Sequence, residues 1–314
     1  MIEIHPQSKI VLTHGAYLAA TSENGHIAAV SRKGTGTLLS PDLRMLGHFS
    51  VPLRPTDLAL SPDASELAVA AADGITLYSA RAFEKSGYLN NAYQSCLFDT
   101  KGRLWSCIAY TQSSAILEIW DSRKETVIAE VKIIDPFGQS AFRLFRHPSQ
   151  NSVIVWAAAG QDGQKLFWAS LHEDAIQVTP FDDLDFTSPP AFRSDGKEFL
   201  IAAECELFRY AYPNGPRLSE MNELGPEEGD SIGDQVFYLD SDHALLSSSE
   251  GRLYTVDLAK MRTIDEVQIL DDKPRPVWNF LKLDAQRFVS IHRDVQATNL
   301  DQAPDTLLLW AGSL

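Results

Sequence analysis

Acidic side chains are concentrated in the segments that join predicted strands, mainly in the second half of the chain. Carboxylates in exposed loops attract basic peptide segments at long range. Aspartate is also common in turns because its side chain accepts hydrogen bonds from nearby backbone amides, and this structural explanation stays open. The candidate partner-binding residues are these acids together with one arginine and one tryptophan: Asp135, Asp182, Asp183, Asp185, Glu227, Glu228, Asp230, Asp234, Asp271, Asp272, Arg275 and Trp278.

Two of these acidic clusters could supply oxygen ligands to Ca²⁺. Residues 182–185 are Asp-Asp-Leu-Asp and residues 227–230 are Glu-Glu-Gly-Asp. Neither cluster has the spaced ligand pattern of a dedicated calcium loop. We therefore expect no metal and no cofactor, although carboxylates from separate repeats could still converge on one ion.

Two histidines are candidates for acid–base chemistry, because an imidazole titrates near neutral pH. His26 begins a predicted strand and His292 ends one, and a structural role in a turn or in the core is the favoured explanation for both. The sequence contains no G-x-S-x-G, H-E-x-x-H, P-loop or dinucleotide-binding fingerprint. We assign no catalytic residue, and a non-enzymatic role is favoured over an enzymatic one.

Composition excludes several classes of partner. The chain has 314 residues and a net charge of −15, from 42 acidic and 27 basic side chains. This balance argues against nucleic acid and against anionic membrane surfaces, since both require a basic face. No apolar run approaches the roughly 20 residues that span a bilayer. Three cysteines indicate a reducing compartment, so we expect a cytoplasmic protein. Cys96 and Cys107 are predicted on neighbouring strands of one hairpin, where free core thiols are favoured over a disulfide. We also expect the protein to be a monomer.

The elements that must position these residues are short apolar runs separated by tight turns. Residues 57–83 contain three such runs, split by turns at Ser61-Pro62-Asp63-Ala64 and at Ala72-Asp73-Gly74. The same plan recurs six more times, with innermost strands that begin near residues 10, 57, 94, 141, 188, 235 and 278. Four short strands per repeat, at a period mostly in the forties, are typical of a β-propeller. We therefore predict one all-β domain over residues 1–314.

The last repeat ends after its third strand, whereas the N-terminus carries a strand without a partner. In residues 1–5, Ile2 and Ile4 lie on one face, and Glu3 and His5 on the other. We predict that this stretch forms the outer strand of the last blade and so closes the ring, which removes the open sheet edge.

The letters of the second and third repeats resemble those of WD-repeat-type, seven-bladed β-propellers. Gly47-His48 precedes the turn sequence Leu-Ala-Leu-Ser-Pro-Asp of residues 58–63, an inner strand at residues 67–70, and Asp73-Gly74. Ile119-Trp120-Asp121 supplies a Trp-Asp pair at the end of a third strand. The resemblance implies seven four-stranded antiparallel blades, with the inter-blade loops gathered on one face, called the top.

The function expected from these observations is a non-enzymatic protein–protein interaction platform. Its acidic top face would bind a protein or peptide segment, basic in the favoured version. Trp278 could serve there as an anchor, or it could fill the space between blades. The alternative is a small-molecule hydrolase or lactonase with a site at the mouth of the central channel, with or without a metal ion.

Overall fold

The computed structural model describes residues 1–111, 113–135, 137–138, 140–160, 163–181, 189–203, 206–213, 217–222, 231–270, 277–284, 286–293 and 304–311. Within these ranges the backbone forms β-strands and turns and contains no α-helix, so the predicted all-β class is confirmed. None of the described residues belongs to a helix long and apolar enough to cross a membrane. The chain divides into two compact units, residues 16–185 and residues 1–15 with 186–314.

The unit of residues 16–185 holds four antiparallel sheets of four strands, blades 1 to 4. Each blade runs in chain order from its innermost to its outermost strand. Blade 1 is β3 (Leu18–Thr21), β4 (Ile27–Val30), β5 (Thr35–Leu39) and β6 (Met45–Ser50), and blade 2 is β7 (Asp57–Leu60), β8 (Glu66–Ala71), β9 (Gly74–Ser79) and β10 (Glu84–Asn90). Blade 3 is β11 (Tyr93–Phe98), β12 (Leu104–Thr111), β13 (Ser114–Asp121) and β14 (Thr126–Ile134), and blade 4 is β15 (Ala141–Arg146), β16 (Ser152–Ala158), β17 (Gln164–His172) and β18 (Ala175–Phe181).

The other unit holds blades 5 to 7. Blade 5 is β19 (Ala191–Phe192), β20 (Glu198–Ala203), β21 (Glu206–Ala211) and β22 (Arg217–Met221). Blade 6 is β23 (Ile232–Tyr238), β24 (His243–Ser248), β25 (Leu253–Asp257) and β26 (Arg262–Ile269), extended by β1 (Ile2–Ile4). Blade 7 is β27 (Val277–Lys282), β28 (Arg287–Arg293) and β29 (Asp305–Ala311), completed by β2 (Ser8–Leu12).

An N-terminal strand completes the last blade, as predicted, but the strand is β2 and not residues 1–5. β2 pairs antiparallel with β29, whereas β1 pairs parallel with β26 and adds a fifth strand to blade 6. The prediction had placed β2 innermost in blade 1, where the structure has β3. β1 joins blade 6 because this position buries Ile4 in a cluster with Val267, Phe280 and Trp310.

The other six innermost strands begin within three residues of the predicted positions. The turn at Ser61-Pro62-Asp63 shows why the repeated hairpins could be recognised from the sequence. The Ser61 hydroxyl accepts hydrogen bonds from the amides of Ser65 (3.0 Å) and Glu66 (2.9 Å), and the turn closes with Ala64 at φ 56°. The apolar runs on either side, β7 and β8, are buried from Leu58 and Leu67 onward. Local hydrogen bonding and burial therefore specify the same hairpin.

Large side chains fill the space between neighbouring blades of one unit. One cluster joins blades 2, 3 and 4 through residues such as Leu77, Trp105 and Phe142. Gly47 of the Gly-His pair lies in the outer strand β6, where a Cβ atom would lie 2.6 Å from the ring of Phe83 in blade 2. The glycine therefore permits blade 2 to approach blade 1 closely. His48 pairs with Thr37 of its own blade, with Nδ1 3.0 Å from the hydroxyl oxygen.

One carboxyl group lies buried on the face of blade 3, at Glu118. Its Oε2 accepts hydrogen bonds from the Trp120 indole (2.9 Å) and the Tyr93 hydroxyl (3.2 Å). Burial raises the pKa of Glu118, and the hydrogen bonds from Trp120 and Tyr93 offset only part of that rise. The carboxyl therefore binds its proton more tightly in the folded state than in the unfolded chain.

This shift predicts how replacement of Glu118 by glutamine changes stability with pH. The contribution of a carboxyl with a raised folded pKa is full below its unfolded value, about 4.3, and is lost as the pH rises through the folded value. Glutamine keeps the oxygen acceptor and does not titrate. The free energy of unfolding of E118Q minus that of the wild type, both measured in urea, should therefore increase from pH 4 to pH 7, because only the wild type loses the contribution of Glu118. A difference between the two proteins that is constant with pH would contradict the assignment.

Candidate partner-binding surfaces

Most of the predicted partner-binding residues lie outside the described part of the chain. For Asp234 in β23 and Trp278 in β27, the structure describes the backbone but not the side chain. Asp135 is the one predicted residue whose side chain is described. The role of the remaining nine stays a prediction: Asp182, Asp183, Asp185, Glu227, Glu228, Asp230, Asp271, Asp272 and Arg275.

Asp135 is buried, and its carboxylate bonds to the segment that joins blade 3 to blade 4. It accepts hydrogen bonds from the Ser140 hydroxyl (2.6 Å), the Ser140 amide (2.8 Å) and the Phe137 amide (3.1 Å). Burial alone would raise the pKa of Asp135, but these hydrogen bonds outweigh it and hold the pKa below its ordinary value. At this position the aspartate stabilises the loop and does not face solvent.

Exposed apolar side chains lie on the inter-blade segments of the same unit. Leu53, between blades 1 and 2, is 71% exposed, and Ile134, at the end of β14, is 75% exposed. Successive strands alternate in direction, so all segments that join an outer strand to the next inner strand lie at one end of the unit. This end therefore presents large apolar side chains that the protein itself leaves uncovered.

The two candidate histidines each bond within their own turn or strand. His26 Nδ1 lies 2.8 Å from Asn24 Oδ1, and His292 Nε2 lies 2.8 Å from the Ser290 hydroxyl. They belong to different units. Across the described ranges, no group of three or more histidine, cysteine, aspartate or glutamate side chains is arranged to hold a metal ion.

Hydrogen bonds to polar side chains of the innermost strands join neighbouring blades, a role that was not predicted from the sequence. Gln94 Oε1 accepts a hydrogen bond from the Phe142 amide (2.7 Å), and Gln235 Oε1 accepts one from the Phe280 amide (3.0 Å). Asp57 accepts hydrogen bonds from the Cys96 amide (3.1 Å) and from the Ser95 hydroxyl. Burial raises the pKa of Asp57 despite these contacts. The sequence does hold a signal for this role, because Gln94 and Gln235 occupy equivalent positions in their repeats.

A cleft of about 530 Å³ lies between blades 2 and 3, at the end of the unit opposite the inter-blade segments. Three turns line it, residues 61–66 of blade 2 and residues 100–103 and 121–123 of blade 3, together with Ile128. The Ser122 hydroxyl donates to Glu66 Oε2 (3.1 Å), which connects the two blades across the cleft wall. Ser61-Pro62-Asp63 and Asp121, letters that carried the family resemblance, are part of the lining. Their pattern in the sequence predicted a role in the fold and no role in binding.

Comparison with known proteins identifies the fold. No protein-family model matches the sequence, and no curated protein matches it. The β-propeller domain of Cps50 (Swd1) from Myceliophteria thermophila is 11% identical, with a TM-score of 0.70, covering 98% of this chain and 99% of that one. The WD40 repeats of RRP9 are 13% identical, with a TM-score of 0.68, covering 98% of both chains.

An enzyme also contains a similar structure. Hydrazine synthase of Kuenenia stuttgartiensis is 10% identical, with a TM-score of 0.62, covering 81% of this chain and 79% of that one. The likeness therefore does not decide between a binding role and a catalytic one. Together with the seven sheets of the described residues, the comparisons show that this chain has the fold of a WD-repeat-type, seven-bladed β-propeller.

Proposed function

We propose that this chain is a non-enzymatic platform for protein–protein interaction, whose inter-blade loops bind a basic segment of a partner protein. The observation that carries the proposal is the exposure of Leu53 and Ile134 on inter-blade segments at one end of a tightly packed unit. Exposed large apolar side chains on a rigid support offer a partner area to bury without the cost of first ordering the loop.

Charge supports the choice of a basic partner. The net charge of −15 attracts cationic segments at long range, and the predicted acidic loops would concentrate that attraction at the same end of the blades. Cys96 and Cys107 are buried free thiols, in keeping with a reducing compartment such as the cytoplasm, where we place the protein as a monomer.

The proposal is tested by the binding of a fluorescein-labelled peptide of alternating lysine and glycine, followed by fluorescence anisotropy. The affinity should fall steeply between about 50 mM and about 300 mM NaCl, because salt screens attraction between exposed charges. Binding to the wild type that does not change with salt, or no binding at low salt, would contradict a charge-driven surface. Whether the peptide binds at the inter-blade loops is tested by variants that remove the same charge from these loops or from the opposite end of the blades.

A further inference from the structure

The cleft between blades 2 and 3 contains charged groups of both signs, but they differ in how far the protein already satisfies them. Asp63 Oδ1 accepts from the Ser61 hydroxyl (2.8 Å), the Ser65 hydroxyl (2.7 Å) and the Ser65 amide (3.0 Å). These bonds hold the pKa of Asp63 below its ordinary value, led by those from Ser65. Its carboxylate therefore stays ionised and bonded within its own turn.

The other two acids of the lining are also bonded to the protein. Glu66 accepts from the Ser122 hydroxyl across the cleft wall, and Asp121 pairs with Lys124, whose Nζ lies 2.9 Å from Oδ2. Each of the three acids therefore already has a hydrogen-bond donor within the protein, which reduces the gain from binding a cationic ligand.

The basic side chains of the cleft include two whose donors are uncommitted. Arg103 is paired with the buried Asp99, its Nε 2.8 Å from Oδ2. Lys101 and Arg123, in contrast, are exposed on two different turns, and their cationic groups form no ion pair with any carboxylate in the described ranges. Pro62 and Ile128 are half-buried and add an apolar wall to the same cleft.

We propose that this cleft binds an acidic peptide segment of a partner protein. Its carboxylates contact Lys101 and Arg123, and a neighbouring apolar side chain packs against Pro62 and Ile128. An arginine guanidinium binds a carboxylate through two parallel hydrogen bonds, which gives direction as well as strength. The formal charges of the lining balance, so the selectivity comes from the free donors and not from a net positive field.

The overall charge of the protein opposes such a ligand at long range but not at contact. At about 0.15 M salt, charges beyond about 8 Å are largely screened, so the side chains within the cleft dominate. This surface is separate from the inter-blade loops of the proposed function. It takes a ligand of the opposite charge and lies at the other end of the blades.

The test uses a fluorescein-labelled octapeptide of alternating aspartate and leucine, with an asparagine–leucine peptide as its uncharged counterpart. The cleft variant is Lys101→Gln with Arg123→Gln. The matched control is Lys33→Gln with Lys132→Gln, which removes the same charge from exposed lysines at the opposite end of blades 1 and 3. All four residues are exposed, and melting curves verify that both variants fold.

We expect the cleft variant to bind the aspartate peptide at least tenfold more weakly than the wild type, and the control variant to bind within about twofold of it. The asparagine peptide should bind the wild type at least tenfold more weakly than the aspartate peptide. Equal losses in the two variants, equal binding of the two peptides, or no binding to the wild type up to about 1 mM would each overturn the proposal. None of these outcomes bears on the lysine peptide, which is measured with other variants.

Discussion

Replacing Asp99 by alanine is expected to lower the free energy of unfolding by about 3–5 kcal/mol, because four donors of a buried turn lose their acceptor, at a cost of about 1–3 kcal/mol for each donor that stays buried. The Asp99 carboxylate is fully buried in the turn between β11 and β12. Oδ1 accepts from the amides of Lys101 (2.9 Å) and Arg103 (3.0 Å), and Oδ2 accepts from Arg103 Nε (2.8 Å) and the Trp105 indole (3.2 Å). Alanine would leave all four donors without this acceptor.

Two further variants show whether burial is the cause. Asp99→Asn keeps one oxygen acceptor but removes the charge, so its loss should be smaller than that of alanine. Asp42→Ala breaks the exposed pair with Arg44, in which the two side chains are 51% and 82% exposed, and removes the exposed acceptor of the Ser40 hydroxyl (2.6 Å), so its loss should be only about 1 kcal/mol. Denaturant unfolding followed by tryptophan fluorescence measures all three. Similar losses for Asp99→Ala and Asp42→Ala would refute the role assigned to the buried turn.

The second large effect is expected in blade 7, for Asp305→Ala. Asp305 is fully buried and forms two hydrogen bonds with Arg293 of the neighbouring strand, Nε to Oδ1 and Nη2 to Oδ2, both 2.9 Å. Removing the carboxylate leaves a guanidinium that is only 8% exposed without its counter-ion, which costs about 3–5 kcal/mol.

A double variant separates the penalty of an unpaired charge from the value of the pair. Arg293→Met with Asp305→Leu removes both charges and keeps apolar volume, so it should lose much less stability than Asp305→Ala. If the double variant proves as unstable as the single one, the loss comes from packing in blade 7 and not from the loss of the Asp305 counter-ion. The free energy of unfolding in urea is the quantity to compare.

The repeats were predictable where local chemistry and burial agree. The turn of residues 61–64 carries its own hydrogen-bond acceptors, and the apolar runs beside it can be buried only as a hairpin. The outer strand β6 was predicted at Met45–Phe49 and is observed at Met45–Ser50. In such segments a few adjacent residues determine the structure, so a single sequence is sufficient.

The N-terminal strands were not predictable in the same way. β2 and β3 flank a glycine turn at Gly15, and both carry apolar residues suited to a strand, so a hairpin between them fits the sequence equally well. The choice is made by partners far along the chain, since Ser8 pairs with Leu309 and Ile2 with Val267. A side-chain period of two residues indicates a strand but does not identify its neighbour.

The binding surfaces were less predictable than the fold. Aspartate in a loop suits both solvent and a buried turn, and the structure shows the second environment for Asp135. The cleft between blades 2 and 3 depends on how turns of two repeats lie against each other, for example through Ser122 and Glu66. A pattern within one repeat carries no information on that contact.

The central claim, that the acidic inter-blade loops bind a basic segment, is tested most directly with two charge-matched variants and the lysine–glycine peptide. One variant replaces Asp182, Asp183 and Asp185 by asparagine. The other is Glu84→Gln, Glu173→Gln and Asp174→Asn, which removes the same charge at exposed positions near the opposite end of blades 2 and 4. At about 50 mM NaCl we predict at least a fivefold loss of affinity for the loop variant and less than a twofold loss for the other. Equal losses in both would show that the peptide responds only to net charge, and the claim would then be wrong.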